Sequence, residues 1–148
     1  MRSTPTIWAT LRQRMWLSVS TDLTTLAGIT FGVVAVGVIA FQVALALGAP
    51  WGAYAMGGVF PGRYPPPMRV AAVVQAVLIG LLALAVLSAA GLVLPDLIAA
   101  IPWLAWAAVA VSALAVILNA LSRSAGERRI WVPVAVVMLI SSLLVAMQ

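Results

Sequence analysis

Side chains that could carry acid–base chemistry are few in this chain. It has three carboxylates and two tyrosines, and it has no histidine, cysteine or lysine. General acid–base catalysis draws on these residue types, and zinc sites depend mainly on Cys and His. We therefore expect no cofactor and no metal site, and an intramembrane enzyme would have to act through Glu127, the tyrosines and arginines.

Three uncharged polar residues, Gln42, Gln75 and Asn119, interrupt or end long apolar runs. If these runs are helices with a rise of 1.5 Å per residue, Gln42 and Gln75 both lie roughly 9 Å below the same surface. A hydrogen bond between the helices is one interpretation, and such bonds average about 0.6 kcal/mol in membrane proteins. Contact with a bound molecule is the other.

The segment from Gly48 to Met68 is the most unusual part of the chain, because it is apolar, aromatic and rich in Gly and Pro. Proline fixes the backbone and glycine permits positive φ, so we expect an ordered cap over the helix ends. The candidate ligand-binding residues around this segment are Gln42, Trp51, Tyr54, Phe60, Arg63, Tyr64, Arg69, Gln75, Asn119 and Glu127. For Glu127 the alternative is a loop carboxylate that is ion-paired with Arg123, Arg128 or Arg129.

Four long apolar segments must position these residues. The chain is 65% hydrophobic and 7% charged, whereas soluble domains carry about 25% charged residues. A membrane helix needs about 20 apolar residues, which predicts spans at about 23–47, 69–94, 102–121 and 130–147. The runs are too long and too continuous for barrel strands. We predict an all-α membrane protein, an antiparallel bundle of four transmembrane helices.

Residues 1–22 form a basic amino-terminal segment. Trp8, Leu11, Met15 and Val19 could share one face of a helix that lies at the membrane interface. The alternative is a disordered basic tail.

Small residues recur at a spacing of four in the first two spans. Such residues let helix backbones approach closely in lipid, so we expect these two helices to pack along them. The residues are Gly28, Gly32, Ala40, Ala44, Ala72, Ala76 and Gly80.

Arginines distinguish the two ends of the predicted bundle. Arg2, Arg12 and Arg14 belong to the amino-terminal side, and the other five lie in or next to the loops at 48–68 and 122–129: Arg63, Arg69, Arg123, Arg128 and Arg129. The positive-inside rule would place these loops in the cytoplasm. Arg63 and Arg69 could serve loop structure, however, and the first span often dominates insertion, so we expect both termini in the cytoplasm. Arginine without lysine, amid Ala and Val, indicates a GC-rich bacterial genome and hence the inner membrane.

The Gly-Ala-Pro-Trp-Gly motif at 48–52, within the run that begins at Phe41, resembles a family of uncharacterised small bacterial four-helix integral membrane proteins. The resemblance continues to the carboxyl terminus through Tyr54, Gly57, Gly58, Pro61, Gly62, Pro66, Arg69, Asn119, Glu127, Arg128, Trp131 and Pro133. The amino-terminal segment is longer here than in that family. The resemblance implies the four-helix topology and implies no activity.

Two functional interpretations remain after the residue types are weighed. A proton-coupled exporter needs an ionisable group deep in the bundle, and no span has one at its centre. The first interpretation is binding of a small or lipophilic molecule beneath the 48–68 loop, and the second is an accessory or scaffold subunit of a larger membrane complex. We place binding first because the loop is too elaborate for a connector.

The expected partners are the lipid bilayer, a lipophilic molecule, and a homo-oligomer or larger complex. Because the arginines flank apolar runs, no nucleic acid is expected.

Overall fold

The computed structural model describes residues 7–148, leaving out the side chains at positions 9, 10, 12–14, 17, 18, 95, 98 and 99. Within that part of the chain the regular elements are helical. The α-helices are α1 (Ile7–Leu47), α2 (Pro66–Ala89), α3 (Pro95–Ala100), α4 (Trp103–Ala120) and α5 (Ala125–Ala146).

Four helices are long and apolar enough to cross a membrane: α2, α4, α5 and the Val19–Leu47 part of α1. This confirms the prediction of an all-helical chain with four membrane-length apolar helices, which fits a multi-pass membrane protein. Many large apolar side chains on these helices are exposed. That exposure is compatible with lipid, where a leucine gains little by being buried against another helix.

The helices pack around a core that lies towards the α2–α3 end of the bundle. α1 packs against α2 and α5, and α4 packs against α5, whereas α2 and α4 touch over only a short stretch. Phe31 and Ala35 of α1 meet Val86, Ala108 and Val145 of the other three long helices in this core. This core does not extend to the opposite end of the bundle, where the residues between α1 and α2 lie.

The amino-terminal segment does not form a separate element in the described residues. α1 is one helix of 41 residues, about 61 Å at 1.5 Å per residue, and this is about twice the thickness of the hydrocarbon core. Residues 7–22 thus continue the first span as helix rather than as a disordered tail. Arg2 lies outside the described residues, as do the side chains of Arg12 and Arg14.

The second helix ends at Ala89 rather than at the predicted Leu94. Gly91 adopts a positive φ of 71°. The Leu92 N–H donates to the Leu87 carbonyl at 2.9 Å, and the Gly91 N–H donates to the Ser88 carbonyl at 3.0 Å. These bonds form a Schellman motif, which glycine favours because it has no Cβ. The short helix α3 follows where only a turn was predicted.

The last helix begins at Ala125, ahead of the predicted start at 130. The Ser124 hydroxyl caps it and accepts from the Glu127 N–H at 3.2 Å. Serine followed three residues later by glutamate is a helix-start signature. Glu127 therefore lies in the first turn of α5, where the sequence analysis had placed a loop.

Glycines of the predicted packing set lie where α1 approaches α2. A Cβ on Gly28 would come within 2.6 Å of the Ala90 Cβ, and a Cβ on Gly32 within 3.4 Å of Leu87 Cδ2. A Cβ on Gly80 would lie 3.9 Å from Ile39 Cδ1. The alanines of the set range from buried through half-buried to exposed: Ala72 is buried, Ala44 and Ala76 are half-buried, and Ala40 is exposed.

Candidate functional site

A cavity of about 530 Å³ lies among the long helices, beneath the segment that joins α1 to α2. We call that segment, residues 48–65, the first loop. Side chains from α1, α2, α4 and α5 line the cavity together with part of the first loop. Its walls are mostly apolar and include Ile79, Leu82, Val111, Val134 and Met138.

The mouth of the cavity opens between α2 and α4. Lining residues that are themselves exposed must lie at the rim, and they belong to these two helices and the first loop. On the helices they are Ala71, Gln75 and Leu78 of α2, and Val111 and Leu118 of α4. Both helices are apolar and of membrane-spanning length.

Two glutamines line the cavity from different helices. Gln42 of α1 has 6% of its surface exposed, and Gln75 of α2 lies at the rim. Neither side-chain amide has a hydrogen-bond partner among the described residues. The interhelical hydrogen bond that was one interpretation of these residues does not form, and both amides remain available to the cavity.

Tyr64, the last residue but one of the first loop, also lines the cavity. Its side chain has only 4% of its surface exposed, and its hydroxyl has no hydrogen-bond partner in the described part of the chain. Burial raises the pKa of the Tyr64 hydroxyl above its ordinary value of 10.0, and the nearby charge of Glu127 raises it further. At neutral pH the hydroxyl is therefore protonated and can donate.

Glu127 brings a carboxylate to the cavity wall. Its Oε2 accepts from the Gly57 N–H at 2.7 Å and from the Ser122 hydroxyl. Its Oε1 has no partner within the described residues, and no arginine there pairs with the carboxylate. The expected ion pair is replaced by these two hydrogen bonds, and the Arg128 guanidinium donates instead to the Ser122 carbonyl.

Asn119, near the end of α4, lines the cavity as well. Its Nδ2 donates to the Ala115 carbonyl one turn earlier, at 2.7 Å. One N–H of the amide is thus used within the helix, which leaves the second N–H as a donor and the Oδ1 as an acceptor.

Side chains from the start of α5 and the turn before it hold the first loop. The Ser124 hydroxyl donates to the Ala53 carbonyl at 2.9 Å, and the Trp131 Nε1–H donates to the Tyr54 carbonyl at 2.7 Å. The bond from the Gly57 N–H to Glu127 is a third link. The cavity is therefore closed on this side by backbone that is fixed to α5.

The predicted aromatic residues of the first loop, other than Tyr64, lie outside the cavity lining. Trp51 stacks on Phe41 with 5.9 Å between ring centroids, and Phe60 meets Tyr64 edge-on at 6.2 Å. The Tyr54 ring lies against Gly126, where a Cβ would be 3.0 Å from its Cδ1. They support the residues that do line the cavity.

Neither predicted arginine lines the cavity. Arg63 is exposed. Arg69 donates from its Nε to the Tyr64 carbonyl at 2.9 Å, so it holds the backbone of a lining residue. An anionic group bound in the cavity would therefore find no arginine among the lining residues.

Many lining residues were missed in the sequence, among them Phe41, Ser112 and Trp131. Phe41 and Ser112 sit in apolar spans, where side chains of these types commonly serve packing. A tryptophan near the end of a span, like Trp131, is typical of a membrane-interface anchor. The Ser124–Glu127 capping signature could have found the true start of α5, and with it the place of Trp131 two turns into a helix.

No family model, curated protein or solved structure matches the chain. The resemblance carried by the motif at 48–52 stays a prediction.

Proposed function

We propose that the chain crosses the inner membrane as an antiparallel bundle, with the first loop as an ordered cap, and binds a small lipophilic molecule in the cavity. The observation that carries this proposal is one apolar cavity lined by several polar groups that have no partner among the described residues. They include the amides of Gln42 and Gln75, the Tyr64 hydroxyl and the Glu127 Oε1.

The size of the cavity supports binding rather than imperfect packing. Protein interiors are packed to nearly crystalline density, with few voids larger than a water molecule. Ligand pockets measure about 300–1,000 Å³ and combine apolar walls with a few polar groups that fix orientation. A cavity of about 530 Å³ with this lining has the size and composition of a ligand pocket.

Buried polar groups without partners also favour a ligand. A buried donor or acceptor left unsatisfied costs about 1–3 kcal/mol. Gln42 and Tyr64 are both more than nine-tenths buried and both line the cavity. A ligand with complementary polar atoms would relieve that cost, which makes these residues the natural anchor points.

The position of the mouth supports a lipid-soluble ligand. The rim residues of α2 and α4 lie within apolar, membrane-length helices. A molecule dissolved in the bilayer could enter sideways without passing through water. The first loop, fixed to α5 by Ser124 and Trp131, covers the end of the cavity that faces away from the core.

A scaffold or accessory subunit is the second candidate, and one observation favours it. The part of α1 that precedes the Val19–Leu47 span carries large exposed apolar side chains, Trp8, Leu11 and Trp16. A larger membrane protein could cover them. In that case the partner would purify with this chain in fixed proportion.

Ligand retention by cavity-filling variants tests the proposal. The variant Ala115→Phe places a ring in the cavity, because Ala115 is a lining residue of α4. The matched control is Ala110→Phe, since Ala110 is exposed on the same helix and does not line the cavity. Each protein is purified in mild detergent, and its bound lipophilic molecules are extracted and identified by mass spectrometry.

We expect the wild type and Ala110→Phe to retain the same molecule and Ala115→Phe to lose it. Retention by all three would place the molecule outside the cavity and overturn the proposal. A stoichiometric membrane protein in the absence of any lipophilic molecule would favour the scaffold instead.

A further inference from the structure

The cavity carries a single charged side chain among the residues that the structure describes. That residue is Glu127. It is buried, with 9% of its surface exposed. One carboxylate oxygen is used by the Gly57 N–H and the Ser122 hydroxyl, and Oε1 has no partner in the described range. The charge at this end of the cavity is therefore negative.

Arginines near the carboxylate do not reverse that sign. Arg128 is exposed, and its guanidinium donates to the Ser122 carbonyl rather than to Glu127. Arg69 donates to the Tyr64 carbonyl, and neither arginine lines the cavity. Arg63 and Arg69 were candidate ligand contacts that would suit an anion, whereas the lining favours the opposite charge.

The uncharged groups around Glu127 also suit a cation. Asn119 uses one N–H of its amide within α4, and its Oδ1 can accept from a cation. The rings of Phe41, Tyr64 and Trp131 line the same cavity, and aromatic faces attract organic cations. Acceptors and aromatic rings about a buried carboxylate are the groups that recognise an ammonium.

The remainder of the cavity is long and apolar. On α2 it extends from Met68 to Leu82, which is about 21 Å along the helix at 1.5 Å per residue. Met138 and Val134 of α5 face it from the other side. A chain-like hydrocarbon fits this shape better than a compact ring system.

We propose, building on the binding function above, that the ligand is a lipophilic ammonium ion. Its N–H groups donate to Glu127 Oε1 and to the neighbouring acceptors, and its hydrocarbon chain lies between α2 and α4 towards Leu82 and Met138. Entry between α2 and α4 keeps the hydrocarbon chain of the ligand among apolar groups.

Three probes of equal chain length test the charge preference. They are dodecylamine, which is protonated at neutral pH as lysine is, dodecanol, which is neutral, and dodecanoate, which is an anion. Equilibrium binding of each radiolabelled probe is measured with the full chain in nanodiscs, and binding to empty nanodiscs is subtracted. We expect dodecylamine to bind at least tenfold more tightly than dodecanol, and dodecanoate to bind least. Equal or stronger binding of dodecanol or dodecanoate would overturn the cation assignment without any variant.

The variant Glu127→Gln removes the charge and keeps an oxygen acceptor for Gly57 and Ser122. We expect it to weaken dodecylamine binding about tenfold and dodecanol binding by much less, because charge-assisted hydrogen bonds are roughly twice as strong as neutral ones. The matched control is Asp96→Asn, an exposed carboxylate on α3 that does not line the cavity. An equal loss in both variants would show a nonspecific charge effect and overturn the proposal.

The cavity-filling variant separates the two proposals. If dodecanol binds as tightly as dodecylamine and Ala115→Phe abolishes both, the cavity binds lipophilic molecules but does not select a cation. If no probe binds the wild type above empty nanodiscs, or if Ala115→Phe binds dodecylamine as the wild type does, the cavity itself is not the binding site.

Discussion

Glu127 combines a structural role with a proposed recognition role in one carboxylate. Its Oε2 joins the first loop to the turn before α5 through the Gly57 N–H and the Ser122 hydroxyl. Its Oε1 has no partner among the described residues and is left for a ligand. Substitutions at this position can therefore separate the hydrogen-bonding role from the charge.

Replacement of Glu127 by Ala should destabilise the protein more than replacement by Gln. Alanine leaves the Gly57 N–H and the Ser122 hydroxyl without their acceptor, and unsatisfied buried groups cost about 1–3 kcal/mol each. We expect a loss of about 2–3 kcal/mol for Glu127→Ala and about half that for Glu127→Gln, measured by thermal unfolding in detergent with helical circular dichroism. Arg129→Ala, at an exposed neighbour, is the control and should have little effect. Equal losses for Ala and Gln would show that the hydrogen bonds are not what Glu127 supplies.

Tyr64 should make stability depend on pH in the alkaline range. Its pKa in the folded protein is raised above 10.0 by burial and by Glu127, so the unfolded chain loses this proton first as the pH rises. The stability that Tyr64 contributes is complete below pH 10 and is lost as the pH rises through the folded pKa. The difference between the unfolding midpoints of the wild type and Tyr64→Phe should be constant between about pH 7 and 9. Above pH 10 the wild-type midpoint should fall relative to that of Tyr64→Phe. Parallel curves for the two proteins over the whole range would contradict the raised pKa.

At the scale of helices, the sequence was informative about apolar length and less informative about where helices end. Continuous apolar runs sufficed to predict four spans, because no other segment could cover a bilayer. The end of α2 depended on Gly91 and on a Schellman motif formed by Leu87 and Leu92, which hydropathy does not register. The start of α5 is indicated by Ser124 and Glu127, a capping pair within a segment whose composition is typical of a charged loop.

The residues of the candidate site were likewise predictable from the sequence only in part. Gln42 and Gln75 were predicted near one surface from the helix rise, and the structure brings both to one cavity together with Asn119. Whether the two glutamines bond to each other depends on how α1 and α2 approach each other, which no single helix encodes. Trp51 and Phe60 lie outside the cavity lining for a related reason, since their rings pack against Phe41 of α1 and against Tyr64.

Gly52 is the backbone position on which the first loop depends most. A Cβ there would lie 2.0 Å from the Phe60 carbonyl oxygen and 2.9 Å from the Gly62 carbonyl oxygen, and the Gly52 N–H donates to Gly62 at 2.9 Å. Gly52→Ala must therefore displace backbone rather than a flexible side chain. We expect at least tenfold faster amide hydrogen exchange across residues 48–65, and a lower unfolding midpoint.

The control for that change is Gly37→Ala on α1, where a Cβ would meet nothing within 4 Å. Alanine is favoured over glycine in helices by about 1 kcal/mol, so this variant should match or exceed the wild type in stability. If Gly52→Ala exchanges as slowly as Gly37→Ala, the loop does not have the close backbone contacts described for it.

For the molecule as a whole, the two ends of the helix bundle differ in kind. One end gathers the first loop, the turn before α5, Glu127 and Tyr64 around the cavity. The other holds the packed core of Phe31 and Val86 and the short helix α3. In the proposed function a lateral mouth between α2 and α4 connects the polar end to the bilayer, as expected for a ligand with a polar head and a hydrocarbon chain.

The proposed antiparallel arrangement predicts which positions share a side of the membrane. The chain has no cysteine, so single substitutions can be labelled without background. Val59→Cys in the first loop and Arg123→Cys before α5 should react from one side, and Asp96→Cys on α3 should react from the other; all three positions are exposed. A membrane-impermeant maleimide applied to intact and to permeabilised cells measures this. If the amino terminus is cytoplasmic, the cysteines of Val59→Cys and Arg123→Cys should be labelled in intact cells. The cysteine of Asp96→Cys should then be labelled only after permeabilisation. The reverse pattern would invert the orientation and keep the bundle, whereas labelling of Asp96→Cys and Arg123→Cys from the same side would mean that α4 does not cross.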